Sequence, residues 1–469
     1  MSSTFTGLST ALNGLMSQRA ALNVTGQNIA NANTVGYTRQ RAELSAIAGP
    51  GRIGLIGGTP IDQIGSGVTV TGISRLADSF VDARQRDAHA NVSYSTARSS
   101  ALGQVESIIG EPSKTGLSTQ LTEFWNSWQG VAINPTSSPA RQSALSLATA
   151  VTTTLQRGAA ALDATYADTR NQLSALAQEV NTTAAGVANL NDRIMVIRAG
   201  GTDSNELIDQ RDQLVLKLSE LTGATASPAG ADGRVDVRVG GFALVTGSTA
   251  AALQVSGGSS LTTSATSPLT LTWSDGSTAS VGSGEVGGVL DALRTVYPAA
   301  SAGFDDVAKR LITSANALHS TAQDLNGVRT GDLFGGTGAR DIRVVVQDPA
   351  KVGAAAWNGA ATPTPENSGK VADQLFQLRS AQDGADSGWS AFVASTGVLT
   401  ASANSTLRVH AVISDQADAG RNAESGVSLD EEMANMLMFQ RAYEGAARVM
   451  TAVDEMLDTL INRTGQVGR

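Results

Sequence analysis

Near the C-terminus, Met436, Phe439, Tyr443, Ala446, Met450, Val453, Leu457 and Leu460 recur at alternating steps of three and four residues. That spacing lays one apolar seam along one side of a helix and asks for a helical partner. The first thirty residues answer it with Phe5, Leu8, Leu12, Leu15, Leu22 and Ile29, interrupted only at Arg19 and Gly26. Most helical stability in proteins comes from packing an apolar face, so neither end is expected to stand alone. Either the two ends pair with each other, or they fold against neighbouring subunits and stay unfolded until those arrive.

Between the ends the helical period continues. Pro139 suits the first turn of a long helix, where a missing N–H costs nothing. Along it Leu162, Tyr166, Leu173, Leu176, Val180, Val187, Leu190, Ile194 and Ile197 hold heptad spacing, with Thr169 and Thr183 in the gaps, until Gly200 and Gly201. Further helices are expected at about 76–109, 117–133, 205–221, 289–296, 304–325, 371–378 and 392–417. Ser428 should cap the last one, with Glu431 completing a capping box. A Gly-rich run from Gly49 to Gly67 reads as turn and strand, and 342–346 as a strand.

Between Gly223 and Gly284 the period falls to two. Val235, Val237 and Val239 alternate with Asp236 and Arg238, Leu269, Leu271 and Trp273 alternate with Thr, and Asp275-Gly276 forms a hairpin turn. The expected fold is mainly α with a β insertion: terminal coiled-coil helices, a long-helix bundle domain and an inserted antiparallel β domain. The bundle occupies 76–222 and 286–420, with a mixed segment near 326–385, and the insertion occupies 223–285. Residues 1–75, a helix and an extended linker, pair with the helix in 421–469, so the chain goes out and returns.

Composition narrows the function classes. With 16% charged and 4% aromatic residues in a chain of 469, a core of small, closely packed side chains is expected. The 33 basic and 42 acidic residues give a net charge of -9, which argues against nucleic acid as a partner. The absence of cysteine excludes disulfides, thiolate catalysis and Cys-based metal sites, and suits an oxidising space or passage between compartments in an unfolded state. Asn13, Ser17 and Gln18 break any apolar segment at the N-terminus and no basic stretch precedes Arg19, so no cleavable secretory signal is expected. No apolar run reaches the ~18 residues of a membrane span, so no membrane insertion is expected.

The motifs that could carry chemistry are weak. Gly282, Gly284 and Gly287 form GxGxxG before a helix, but no βαβ pattern surrounds them, and a loop re-entering a helix is the expected reading. His89, His319 and His410 each stand alone on helix-like stretches. The acidic pairs Asp305-Asp306 and Glu431-Glu432 read as first-turn residues favoured by the helix dipole. Asn91, Asn181 and Asn462 head glycosylation-like triplets of a kind that arise by chance in Ser/Thr-rich chains. No catalytic, cofactor-binding or metal-ligating residue is expected, and the chain does not read as an enzyme.

One segment is more particular than periodicity requires: Asn28-Ile-Ala-Asn-Ala-Asn-Thr-Val-Gly-Tyr-Thr-Arg-Gln40, following Ala20-Ala-Leu22. It resembles the N-terminal signature of bacterial flagellar rod, hook and hook-associated proteins, and Ser425-Gly-Val-Ser-Leu-Asp-Glu-Glu-Met433 with Phe439-Gln-Arg-Ala-Tyr443 resembles the C-terminal one. Asn134-Pro135 with Ala140-Arg-Gln142, Leu207-Ile-Asp-Gln-Arg-Asp212 and Gly287-Gly-Val-Leu290 are similar to the FlgK family of hook-associated proteins. The alternatives are another axial protein of hook or rod type, or a surface adhesin using the β insertion.

The resemblance implies a structural component at the junction of hook and filament, needed for filament assembly. Its partners would be its own copies in a ring, the hook protein and the next junction protein. It also implies export without signal cleavage through the type III apparatus to the extracellular flagellum. By the same likeness, Asn28, Asn31, Asn33, Gly36 and Tyr37 join the N-terminal seam as assembly residues. Met436, Phe439, Tyr443, Met450, Val453, Leu457 and Leu460 would meet both an export chaperone and the assembly.

Overall fold

Helix α4 (Ser138–Ala199) is the spine of the chain, 62 residues long, about 93 Å at 1.5 Å per residue. Ser137 caps it by accepting the Ala140 N–H, and Pro139 sits in its first turn. Its heptad positions from Leu162 to Ile194 are buried, Thr169 and Thr183 included. The computed structural model describes residues 2–48, 65–264, 266–359 and 363–459. Residues 49–64 of the expected Gly49–Gly67 run, Leu460, Asn462 and the side chain of Phe5 lie outside what is described.

Around α4 pack α3 (Leu117–Ile133), α5 (Asn205–Thr222) and α7 (Tyr297–His319). Helix α2 (Ser79–Ile109) lies against α5, α6 (Gly284–Asp291) and α9 (Ala385–Ser425), while α8 (Lys370–Gln377) closes on α3. The few aromatic residues are pooled rather than spread. Phe124 has Trp125 at 4.6 Å and Phe334 at 5.8 Å, and Phe304, Trp389 and Phe392 stand 5.5 to 5.7 Å apart.

Helices expected at 289–296 and 304–325 form one run from Gly284 to His319, joined by a π turn at Ala292–Val296. The widened turn accommodates Pro298, which donates no hydrogen bond and whose ring would otherwise press on the carbonyl four residues back. Asp305 and Asp306 therefore sit in mid-helix, not in a first turn. Asp306 pairs with Arg310 at 2.6 Å, and Asp305 accepts the Ala339 N–H at 2.8 Å.

The insertion is antiparallel. Strands β3 (Thr225–Ala226), β4 (Val237–Val239), β5 (Phe242–Thr246) and β6 (Thr249–Ala250) form one sheet, and β7 (Leu253–Ser256) pairs with β8 (Thr270–Trp273). Val237, Val239, Leu271 and Trp273 are buried as alternation requires, and Trp273 stacks on Phe242 at 4.5 Å. Two asparagines of α4 staple the insertion to the bundle. Asn181 holds both backbone groups of Leu253, and Asn191 holds Val235 and the Gly247 carbonyl.

The mixed segment contains four two-residue strands, β9 (Ala322–Gln323), β10 (Phe334–Gly335), β11 (Arg343–Val344) and β12 (Ala355–Ala356). The strand expected at 342–346 shrinks to β11. Helix α9 exceeds its expected span and turns small and hydroxyl residues inward. Thr396, Thr400, Ala403, Ser414 and Ala417 are buried, whereas Val398, Leu399, Val409, Val412 and Ile413 face solvent.

Candidate assembly interface

The first and last helices, α1 (Ser2–Asn31) and α10 (Leu429–Asp458), pack side by side and antiparallel. A Cβ on Gly7 would lie 3.9 Å from Val453, and one on Gly14 would lie 3.7 Å from Ala446. Seven-residue steps on each helix then carry the register to Asn28, whose amide donates to Glu432 at 3.1 Å. The missing side chains at Gly7 and Gly14 let the two backbones approach.

The expected seam is only partly filled. Leu8, Leu15, Leu22, Ile29, Met436, Phe439, Met450 and Leu457 are half-buried and Val453 is buried, but Leu12 is 48% and Tyr443 40% exposed. Helix α1 instead buries a smaller and more polar face: Ala11, Ser17, Ala21, Val24, Thr25 and Asn28. Ala21 and Asn28 of that face continue the Gly7–Gly14 row towards α10, while Ser17 meets the hairpin of β1 (Gln40–Ala46) and β2 (Val68–Arg75), donating to the Val68 carbonyl at 2.9 Å. Close approach of α10 on one flank and of the hairpin on the other favours small residues, which leaves the large seam residues beside the contacts. A second heptad row on α10, Met438, Ala442, Gly445, Val449, Ala452 and Met456, is wholly exposed.

Where α1 ends, segments far apart in sequence are drawn into one network. The Asn28 amide donates to the Gln40 carbonyl and to Glu432, while its oxygen accepts the Gln40 N–H at 3.0 Å and the Tyr37 hydroxyl at 2.9 Å. Burial, and secondarily the charge of Asp209, pushes the Tyr37 hydroxyl up to about 12, which keeps it a donor. Arg39 grips two neighbouring acidic residues of α10, reaching Glu432 at 2.7 and 2.8 Å and Glu431 at 2.7 Å. Its own N–H is taken by the Ser425 carbonyl at the end of α9.

These two carboxylates are not simply dipole partners of a first turn. Glu432 is 2% exposed and ion-paired, whereas Glu431 is 62% exposed. The capping box is half formed: Ser428 accepts the Glu431 N–H, but the Glu431 carboxylate goes to Arg39.

Helix α5 closes the network from the bundle side. Asp209 accepts the Thr38 N–H at 3.2 Å, and Arg75 of β2 pairs with Asp212 at 2.9 Å. The other Asp209 oxygen lies 2.7 Å from Arg75, within ion-pair range but off the hydrogen-bond line. Burial raises the Asp209 carboxyl, and Arg75 counters it. Gly36 has a φ of 81°, and a Cβ there would strike the side chain of Gln213. Of the other expected residues, Asn31 ties the last turn of α1 through the Gln27 carbonyl and the Thr34 hydroxyl, and Asn33 is exposed. Arg39, Arg75, Asp209, Asp212 and Glu432 were not singled out as site residues, although the motifs around Leu207–Asp212 and Ser425–Met433 contain three of them.

His89 is not alone either. It bridges three helices, 3.0 Å from Glu220 of α5 and 2.9 Å from Asp418 of α9. The Glu220 bond outweighs the burial cost and, with Asp418, pushes the imidazole up to about 9. His319 is a core residue: it is wholly buried between the Gly331 carbonyl and the Gly353 N–H, and burial holds its pKa down. The glycines of GxGxxG serve packing, with Gly284 pressed on Leu221 and Thr222, and Gly287 against Gly282 and Tyr94. Among the described residues no group of three or more His, Cys, Asp or Glu could hold a metal ion, and no helix is long and apolar enough to cross a membrane.

Three family models match separate parts of the chain. The helical domain of the flagellar hook-associated protein FlgK matches residues 102–334, the flagella basal body rod protein matches 8–38, and the C-terminal part of the basal body rod FlgEFG proteins matches 419–463. Flagellar hook-associated protein 1 of Bacillus subtilis is 28% identical over 508 residues, covering 100% of both chains. That of Escherichia coli is 24% identical, covering 97% of this chain and 99% of its own. In fold, the chain is similar to the flagellar hook junction protein FlgK of Burkholderia pseudomallei, with a TM-score of 0.63 and 15% identity over 74% of this chain and 100% of the other. The two rod-type matches fall on the paired terminal helices, and the FlgK-specific match falls on the bundle between them.

Proposed function

The chain belongs to the FlgK family of flagellar hook-associated proteins, structural components of the flagellum at the hook–filament junction, and from that premise we propose that α1 and α10 are its assembly end. The observation that carries this reading is a terminal pair left partly uncovered. It is fastened to the rest of the molecule at one end by Arg39, Glu432, Asn28 and Asp209, while Leu12 and Tyr443 of the seam rows and the separate Met438–Met456 row of α10 stay uncovered. An apolar face of that length on a monomer fits a contact surface.

In this reading, copies stand in a ring with the hook protein on one side and the next junction protein on the other, the bundle and β insertion facing outward. The N-terminal contacts come from Phe5, Leu8, Leu12, Leu15, Leu22 and Ile29, with Asn28, Asn31, Asn33, Gly36 and Tyr37 shaping the turn that follows. Before assembly, the stripe from Met436 to Leu460 binds an export chaperone, and the chain leaves through the type III apparatus to the extracellular flagellum with no signal removed. The role is structural, without catalysis. Removing residues 430–469 tests it: the remainder should fold as a monomer and fail to support filament attachment in cells lacking the full chain. Filaments attached normally by the truncated protein would refute it.

A further inference from the structure

Five of the eight methionines of this chain, Met433, Met436, Met438, Met450 and Met456, lie within α10. They fall into two groups by position. Met436 and Met450 belong to the seam that turns towards α1 and are half-buried. Met433, Met438 and Met456 are 53%, 55% and 54% exposed, and Met16 of α1 is 62% exposed. With no cysteine in the chain to react first, these exposed thioethers are the softest nucleophiles on its surface.

We infer that Met16, Met433, Met438 and Met456 are oxidative modification sites, at which a hydroperoxide turns exposed apolar positions of the terminal pair polar, Met438 and Met456 among them on the uncovered row of α10. The thioether sulfur attacks the peroxide, the O–O bond breaks, one oxygen becomes the sulfoxide oxygen and the other leaves as water or an alcohol. Sulfur gives up two electrons and the peroxide takes them. Methionine sulfoxide is a polar, chiral group that disrupts Met-rich contacts. Met438 and Met456 close the two ends of the exposed heptad row, so the change falls on both ends of one surface. The fastening residues Asn28, Arg39 and Glu432 contain no sulfur and are untouched, so the oxidised chain keeps its fold and its α1–α10 pair.

This inference rests on the reading that the uncovered face is buried during assembly, and it confines oxidation to the unassembled chain. The test treats the purified full chain with graded hydrogen peroxide and maps sulfoxide at each methionine by peptide mass. Met16, Met433, Met438 and Met456 should be modified several-fold faster than Met436 and Met450, with unchanged circular dichroism. Sedimentation at rising concentration then compares untreated chain, treated chain, treated chain repaired with both methionine sulfoxide reductases, and a treated Met16→Leu, Met433→Leu, Met438→Leu, Met456→Leu variant. Association of the wild-type chain should be lost on treatment and restored by repair, whereas treatment should leave the variant's association at its own untreated level.

Equal modification rates at all α10 methionines would overturn the assignment of the sites. Association lost equally by the treated variant would overturn their consequence. Untreated chain that never associates would refute the assembly reading and, with it, the proposed consequence, leaving the site assignment to be decided by the peptide map.

Discussion

Replacing Glu432 by alanine isolates the fastening of the two terminal helices. The wild-type carboxylate receives one charged hydrogen bond from Arg39 at 2.8 Å, has a second Arg39 nitrogen at ion-pair distance of 2.7 Å, and receives one hydrogen bond from the Asn28 amide at 3.1 Å, in a site where its side chain is 2% exposed. Removing one partner of a buried ion pair costs about 3 to 5 kcal/mol. Here the cost is smaller, because Arg39 is 20% exposed and keeps Glu431, and Asn28 keeps the Gln40 carbonyl. About 2 to 3 kcal/mol remains, which raises the opening constant of the α1–α10 pair roughly 30- to 150-fold at tenfold per 1.4 kcal/mol.

Glu431→Ala serves as the control, since a 62% exposed partner contributes about 0 to 1 kcal/mol. Native-state amide exchange reads both variants. In Glu432→Ala, protection should fall across α1 and α10 and hold in the middle of α4. Equal losses in the two variants, or a loss spread evenly into α4, would refute the reasoning.

Other outcomes follow from single positions. Gly36→Ala should cost at least about 1 to 2 kcal/mol from its left-handed backbone alone, and more because Gln213 must move, lowering the midpoint of thermal unfolding. Gly14→Ala should be neutral or stabilising by up to about 1 kcal/mol, since its Cβ would meet Ala446 at an ordinary 3.7 Å. Gly14→Leu should force the helices apart and expose α1 to exchange. For His89, the folded pKa of about 9 lies above the unfolded 6.5, so its contribution is complete below pH 6.5 and is lost as pH rises through 9. Discounted for carboxylate partners about one third exposed, that contribution is about 1 to 2 kcal/mol. His89→Gln should flatten the fall in denaturant midpoint across that window, and an unchanged slope would count against the bridge.

What the sequence disclosed, it disclosed through local period. The heptads of α4 are legible because every position from Leu162 to Ile194 looks inward along one spine, and Val237, Val239, Leu271 and Trp273 because alternation survives in a half-buried sheet. Period fails where the neighbour, not the helix, decides what is inside. Helix α9 meets the hydroxyls of α2, with Ser95 bonded to His410 at 2.7 Å, so threonine and serine go in and valine goes out. Helix α1 meets α10 across Gly7 and Gly14 and the hairpin across Ser17, so small residues take the inner positions that Leu8 to Ile29 would have claimed. The fastening network was hidden for a different reason. Arg39, Asp209 and Glu432 belong to three segments, and no local pattern says that an arginine after a turn will meet an acid nearly four hundred residues later.

Asn28 and Glu432 are 404 residues apart along the chain. Closing a flexible loop of that length costs about 5 kcal/mol in entropy, more than the Glu432 contacts contribute on their own at about 2 to 3 kcal/mol. A folded bundle removes most of that cost, because α5 and the end of α9 already hold Thr38 and Arg39 beside the start of α10. The latch between the termini therefore closes last, and only on a chain whose middle is complete. A subunit with an unfinished bundle therefore presents no ordered terminal pair.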